Sequence, residues 1–230
     1  WLGAGKEAVK AYGVCFYFSQ VRKGDLFITT SRQNWGGAYQ DNHDCLKDLP
    51  SRGAAAAIVD FVPDAAPAGL PILLVENTRD ALDALGRYAR QRFKGKVVCI
   101  TGSSGKSTTK EALKFVLEHQ GPTAASRLNF NHDEGVTLSL AQTSADAAYG
   151  VFEYAADPPQ PASRPPKHAI ARPNVAIVTL IAPDHLKSYQ TLEGVARQKA
   201  MLFDGLVQGG YAILNRDDEF FTYLRDAAYN

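Results

Sequence analysis

The sequence is poor in several kinds of residue, and each shortage narrows the possible functions. Its three cysteines, Cys15, Cys45 and Cys99, are scattered and odd in number, which argues against a disulfide framework and favours reduced thiols in the cytoplasm. No apolar run approaches the roughly 20 residues that span a bilayer, so we expect no membrane insertion. The formal net charge is only +1, and we therefore expect no nucleic-acid partner.

The chain also lacks a P-loop of the usual length, but it contains a shorter glycine turn of the same kind. The usual motif has a glycine five positions before its Gly-Lys pair, where this chain has Ile100. An apolar run precedes the turn and a helical pattern follows it, so backbone amides and a helix N-terminus are placed to attract a polyphosphate. Lys106 would contact the outer phosphate oxygens, and Ser107 or Thr108 would offer a hydroxyl to Mg²⁺. The residues expected to bind the nucleotide are Gly102, Ser103, Ser104, Gly105, Lys106, Ser107 and Thr108.

Buried strand patterns alternate with helical patterns along the chain, which is typical of an α/β fold. We expect a small α/β domain over residues 1–94, in which Thr78 caps a helix. We expect a hinge at Lys94-Gly95-Lys96. A second domain is expected over residues 95–230, with a mostly parallel sheet flanked by helices around the glycine turn.

Polar residues stand near the carboxyl ends of several buried strand patterns. In an open parallel sheet these ends line the ligand crevice, so Glu153 is placed to face a metal held by Ser107. The alternative to a metal-facing role is that Glu153 lies at a strand edge and pairs with a lysine. The residues alone assign no distinct role to His185 or Lys199. Lys199 lies in a helical pattern, and most helix lysines are solvated.

Two polar loops have roles that the residues alone leave open. Asn129 and Asn131 lie in a segment, 126–135, that is too polar for a core strand, and this segment is either solvated or faces a substrate. His43 lies beside two aspartates, and a lone loop histidine of this kind is more often a turn residue than a ligand.

In their order, these motifs resemble those of the Mur ligase family, the ATP-dependent amide-forming enzymes of peptidoglycan synthesis. Within this family, the chain is most similar to the type that adds D-alanyl-D-alanine. The matching segments are the turn Thr101–Ser107, the loop Asn129–Asn131, the strand-end Glu153, the segment from His185 to Lys199, and Asn215 with Asp217. Each match is modest, but five in the family's order are hard to obtain by chance. The resemblance implies a P-loop NTPase-like central domain.

The resemblance also implies a catalytic apparatus with two Mg²⁺ sites. Ser107 and Glu153 would hold the first ion, and His185 and Lys199 the second. Lys199 would be carbamylated, because an ammonium cannot bind a metal whereas a carbamate offers anionic oxygen. Lys106, His185 and Lys199 are the implied catalytic residues.

The implied reaction joins an acid to an amine at the expense of ATP. The γ-phosphate passes to a carboxylate, and the amine of an amino acid or dipeptide attacks the resulting acyl phosphate. The acid would be a carboxylic acid such as a UDP-linked muropeptide, with residues 1–94 binding its UDP moiety. Asn129, Asn131 and His43 would contact this substrate, while Asn215 and Asp217 would lie near the nucleotide base.

Several segments differ from the family pattern and keep other functions open. Phe18-Ser19-Gln20 and Asp41-Asn42-His43 stand where the family has its two UDP-binding motifs, and residues 157–166 form an unusual proline loop. One alternative is a ligase of the same fold acting on a non-peptidoglycan acid, of polyglutamate or secondary-metabolite type. Another is a non-catalytic Mur-like binding module. We also expect the chain to be a fragment without the family's C-terminal domain, and so incomplete for catalysis.

Overall fold

The computed structural model describes residues 9–36, 39–64, 66–127, 133–155, 166–184 and 189–229. The chain divides into two compact units, Trp1–Leu85 and Gly86–Asn230. The division falls within a helix that ends at Arg92, shortly before the hinge expected at residues 94–96.

A four-stranded parallel sheet forms the first unit, with its strands in chain order. The strands are β1 Gly13–Cys15, β2 Asp25–Ile28, β3 Ala56–Val59 and β4 Ile72–Leu74. The short helices are α1 Arg32–Trp35 and α2 Leu49–Arg52, with 3₁₀ turns at Phe18–Gln20 and His43–Asp48. Every residue of β3 is buried, and Phe27 from β2 packs with Leu46 and Leu49 in the core of the unit.

The long helix α3, Thr78–Arg92, follows β4. The prediction that Thr78 caps this helix is wrong. The Asn77 side chain caps it instead, since its Oδ1 atom accepts a hydrogen bond of 2.8 Å from the Arg79 amide. The Thr78 hydroxyl is buried and accepts a hydrogen bond of 2.8 Å from Trp35 Nε1.

A five-stranded parallel sheet in the order β6-β7-β5-β8-β9 forms the second unit. Its strands are β5 Lys96–Thr101, β6 Thr123–Ala125, β7 Tyr149–Glu153, β8 Val175–Val178 and β9 Tyr211–Leu214. The helices are α4 Lys106–Glu118, α5 Asp133–Ala141, α6 Lys167–Ala171, α7 Leu192–Ala200 and α8 Phe221–Tyr229, with a 3₁₀ turn at Phe203–Gly205. The predicted parallel sheet flanked by helices is confirmed.

The central strand β5 is buried on both faces because its side chains alternate between two cores. Val97 and Cys99 belong to the larger core, which also contains apolar side chains of α5, α6, α7 and α8. Val98 and Ile100 lie on the opposite face, where α4 packs. Since the neighbouring strands are parallel to β5, the carboxyl ends of β7, β5, β8 and β9 meet at one edge of the sheet.

All three cysteines are free thiols. Burial raises the pKa of Cys99 to about 12, which keeps this thiol protonated and unreactive. None of the helices in the described ranges combines the length and the apolar character needed to cross a membrane.

Candidate active site

The glycine turn lies between the end of β5 and the start of α4. Gly102 has φ +146°, and a Cβ atom there would collide with the Thr179 hydroxyl, so the position requires glycine. Gly105 precedes α4 with φ +82°, again in the region that favours glycine. Ile100, which stands where the longer P-loop has its first glycine, is a fully buried residue of β5. The motif is therefore short because the strand extends further before the turn begins.

Residues after β8 hold this turn in place. The Thr179 hydroxyl donates a hydrogen bond of 2.5 Å to the Ser104 carbonyl, and the Ser103 amide donates one of 2.7 Å to the Leu180 carbonyl. The Ser103 hydroxyl donates to the Ala182 carbonyl at 2.9 Å and accepts from the Ala182 amide at 3.0 Å. The turn is thus preorganised by the neighbouring strand before any phosphate binds.

Lys106, Ser107 and Glu153 meet at the mouth of the turn. The Lys106 Nζ atom donates a hydrogen bond of 2.8 Å to the Gly102 carbonyl, so its charge lies over the turn. The Ser107 hydroxyl donates to Glu153 Oε2 at 2.7 Å. Ser107 is exposed, whereas only 2% of Glu153 is exposed. The three side chains meet because β5 leads into the turn, α4 begins at Lys106, and the neighbouring strand β7 ends at Glu153.

The donor set at this mouth fits Mg²⁺. Ser107 and Glu153 provide one neutral and one anionic oxygen, and Mg²⁺ prefers oxygen ligands from one or two protein side chains together with phosphates and water. Among the described residues, no group of three or more His, Cys, Asp or Glu side chains could hold a metal ion. A magnesium ion at this position would therefore depend on nucleotide phosphates for its remaining ligands.

Lys199 is buried at the same edge of the sheet. It lies in α7, which begins after Thr191, whose hydroxyl caps the helix by accepting a hydrogen bond from the Gly194 amide. Only 2% of Lys199 is exposed. Its Nζ atom lies 3.8 Å from Asp184 Oδ2 and has no hydrogen-bond partner in the described ranges.

The pKa of Lys199 is lowered to about 8, mainly because burial disfavours its ammonium form. The positive charges of Lys106 and Lys167 also lower this pKa, and the Asp184 carboxylate raises it. Lys106 therefore acts on Lys199 electrostatically, as expected for two groups in one site. A lysine with this pKa exists partly as the neutral amine near pH 8, which is the form that adds CO₂.

The segment after β9 contains one candidate residue pair and one residue that the sequence analysis missed. Asn215 and Asp217 form a local turn, in which the Asp217 amide donates to Asn215 Oδ1 at 3.1 Å. The buried Asp218 accepts a hydrogen bond of 2.7 Å from the Ile181 amide and one of 2.9 Å from the Phe220 amide. Asp218 therefore ties β9 to the loop after β8. Its only sequence signal was an acidic residue just before a helical pattern.

His43 lies in the first unit and is buried, with 2% exposed. Its Nδ1 atom lies 2.9 Å from Asp41 Oδ1, its Nε2 atom lies 2.8 Å from Asp60 Oδ1, and its ring stacks on Phe61 at 3.9 Å between centroids. Asp60 was not among the candidates expected from the sequence, although it directly follows the end of β3, where ligand-facing residues are expected. A cavity of about 510 Å³ opens beside these residues and is lined by Ser31, Arg32, Gln33, Asn34, Asp41, Asp60, Phe61 and Glu76.

Three of the candidate residues, His185, Asn129 and Asn131, lie outside the described residues. Of the remaining candidates in the second unit, the structure brings the glycine turn, Glu153 and Lys199 to one edge of the sheet. His43 belongs to the other unit.

Residues 100–230 match the Mur ligase middle domain. The chain belongs to the Mur ligase family. The resemblance inferred from the order of the motifs is therefore confirmed. The glycine turn lies within the matched residues, and its phosphate-binding role stays a prediction.

Relatives within this family are similar over almost the whole chain. The UDP-N-acetylmuramoyl-tripeptide–D-alanyl-D-alanine ligase of Rickettsia prowazekii is 34% identical over 218 residues, which cover 95% of this chain and 46% of that protein. A crystal structure of MurF from Acinetobacter baumannii has a TM-score of 0.80 and 31% identity, covering 95% of this chain and 46% of that one. MurF from Thermotoga maritima in complex with ADP has a TM-score of 0.74 and 29% identity, covering 96% of this chain and 48% of that one. The chain thus spans about half the length of these relatives.

Proposed function

We propose that this protein is an ATP-dependent ligase that joins a carboxylic acid to the amine of an amino acid or dipeptide. The observation that carries the proposal is the 2.7 Å contact between Ser107 and Glu153 beside Lys106, at the carboxyl edge of a parallel sheet. A lysine, a hydroxyl and a carboxylate in this arrangement are suited to binding a triphosphate and its metal. The ADP complex of the Thermotoga maritima relative supports this nucleotide assignment.

The acceptor acid that we propose is a UDP-linked muramoyl peptide, and the amine is D-alanyl-D-alanine. The names of the relatives support both assignments. We assign residues 1–94 to the UDP end of this acceptor and residues 95–230 to ATP. Both proposed substrates are small charged molecules. We propose that the reaction takes place in the cytoplasm.

In the proposed reaction, a carboxylate oxygen of the acceptor attacks the γ-phosphorus of ATP, and ADP leaves. The amine then attacks the acyl carbon, phosphate leaves with the former carboxylate oxygen, and the nitrogen loses a proton. Lys106 neutralises charge on the transferred phosphoryl group, which is the main source of catalysis in such transfers. When bound, Mg²⁺ ions would neutralise the same charge and orient the phosphates. Ser107 and Glu153 would hold one ion, and His185 and Lys199 the other.

Lys199 would take part as a carbamate. The absence of a hydrogen-bond partner for its buried Nζ atom in the described ranges and its lowered pKa support this assignment. Addition of CO₂ to the neutral amine forms an N–C bond, releases one proton and leaves an anionic oxygen ligand. The nearby charge of Lys106 would stabilise that anion.

The remaining candidates would form or support the substrate sites. Asn129 and Asn131 are proposed to contact the acceptor, and Asn215 with Asp217 to lie near the nucleotide base. Because the His43 ring is buried, we propose that it shapes the acceptor site by holding Asp41 and Asp60.

A comparison of acceptor acids tests this function. The full-length gene product is incubated with ATP, Mg²⁺ and D-alanyl-D-alanine, together with either the UDP-linked muramoyl tripeptide or a panel of simple carboxylic acids. We expect ADP and a UDP-linked pentapeptide product in equal amounts, and no product with simple acids. Amide formation only with a simple acid would instead favour the ligase of non-peptidoglycan type. No ATP turnover with any acid would favour the binding module.

A further inference from the structure

Lys110 is a buried cation on the face of α4 that packs against the sheet. Only 2% of Lys110 is exposed. Leu113 and Leu117 follow it at helical spacing and pack against the apolar side chains of β5 and β7. Ser107 precedes it by one helical turn. A charge on this otherwise apolar face is costly to bury, because the ammonium loses its hydration there.

Two oxygen atoms compensate for the burial of this ammonium. The Lys110 Nζ atom donates a hydrogen bond of 3.0 Å to the Ser126 carbonyl and lies 3.1 Å from Glu111 Oε1. Glu111 is exposed, so the fixed partner is the Ser126 carbonyl. Lys110 therefore ties the start of α4 to the residue that follows β6.

Ser126 in turn holds the backbone of Glu153. Its hydroxyl accepts a hydrogen bond of 3.0 Å from the Glu153 amide, while its own amide donates to the Val151 carbonyl at 3.1 Å. The Ser126 side chain thus extends the pairing of β6 and β7 by one hydrogen bond beyond the end of β6. Glu153 then accepts the hydrogen bond from Ser107 on α4, which closes a ring of contacts through Lys110, Ser126, Glu153 and Ser107.

We propose that Lys110 is a positioning residue that fixes the Glu153 carboxylate for metal binding, acting through Ser126. This inference depends on the proposed function, in which Glu153 is a metal ligand. It explains why a lysine occupies a position that an unbranched apolar side chain would fill at lower desolvation cost. Replacing a residue that orients a metal ligand without touching the metal typically lowers metal affinity by about 10- to 100-fold.

Metal binding by the Lys110→Met variant tests the proposal without relying on catalysis. The probe is Mn²⁺ in the presence of ADP, with free Mn²⁺ measured by electron paramagnetic resonance on the full-length gene product. We expect the Mn²⁺ dissociation constant to rise by about 10-fold or more. The matched control is Lys114→Met, one turn further along α4, where the lysine is partly exposed and pairs with Glu118 at 2.8 Å. This control should leave the constant unchanged.

A second variant keeps the proposal testable if Lys110→Met does not fold. Ser126→Ala retains the carbonyl that Lys110 contacts and removes only the hydroxyl that holds the Glu153 amide. We expect Ser126→Ala to weaken Mn²⁺ binding as well. Because both changes act on one carboxylate, the variant that combines Lys110→Met and Ser126→Ala should have an Mn²⁺ dissociation constant no larger than that of the weaker-binding single variant. Fully additive losses, or unchanged binding in Ser126→Ala, would overturn the proposal.

Glu153→Gln separates this inference from the function on which it depends. If Glu153→Gln weakens Mn²⁺ binding and Lys110→Met does not, the positioning role is wrong and the metal site stands. If Glu153→Gln binds Mn²⁺ as tightly as the unmodified protein, the metal site itself is wrong.

Discussion

Replacing Lys106 with alanine is expected to lower acceptor-dependent phosphate release by about 1,000-fold or more. The Lys106 ammonium lies over the glycine turn, where it is held by the Gly102 carbonyl. During transfer, this charge would offset negative charge that develops on the phosphoryl group, and the shortened side chain of alanine supplies no substitute. Phosphate release by the full-length gene product under saturating ATP measures the effect.

The control for this experiment is Lys114→Ala, which removes a partly exposed lysine on the same helix that pairs with Glu118 at 2.8 Å. This variant should retain full activity. Unchanged phosphate release in Lys106→Ala would contradict the ligase function and favour the non-catalytic binding module.

Replacing Lys199 with methionine is expected to lower ligation strongly and, at the same time, to stabilise the fold. The pKa of Lys199 is lowered from 10.5 to about 8, so below pH 8 the folded protein carries a buried ammonium that the unfolded chain keeps hydrated. A shift of this size corresponds to a cost of about 3 kcal/mol in the free energy of unfolding. Methionine fills a similar volume without charge, so Lys199→Met should recover a large part of this cost at pH 7. Loss of a metal ligand should lower activity by at least about 100-fold.

The gain in stability should depend on pH in a defined direction. Between pH 8 and 10.5 the folded protein has lost the Lys199 proton while the unfolded chain retains it, so the stability of the unmodified protein rises with pH and the advantage of methionine shrinks. Urea unfolding at pH 7 and pH 10 in CO₂-free buffer measures this difference, with Lys114→Met as the surface control. A variant that is less stable at pH 7, or whose advantage grows with pH, would contradict the assignment of Lys199 as a buried charge held for function.

Local sequence signals were sufficient for the glycine turn and for the parallel sheet. The turn is specified by neighbouring residues, since Gly102 and Gly105 supply the backbone angles and Lys106 begins the helix. Glu153 could be placed because the carboxyl ends of parallel strands converge whatever their separation in sequence.

The features that sequence reasoning missed depend on partners distant in the chain. Thr78 has the composition of a helix cap, but its hydroxyl is bound by Trp35, 43 residues earlier, and Asn77 caps the helix instead. Asp218 is fixed by the Ile181 amide, 37 residues earlier. Local patterns carry no information about such contacts, and the burial of Lys110 was missed for the same reason.

Oxygen transfer from the acceptor acid to phosphate tests the proposed chemistry most directly. The acceptor carboxylate is labelled with ¹⁸O, the full-length gene product completes ligation, and the released phosphate is examined by mass spectrometry. Attack of the carboxylate on the γ-phosphorus places one labelled oxygen in each phosphate released with amide formation. Unlabelled phosphate, or label that enters only from ¹⁸O water, would show that ATP is hydrolysed without an acyl phosphate and would contradict the proposed function.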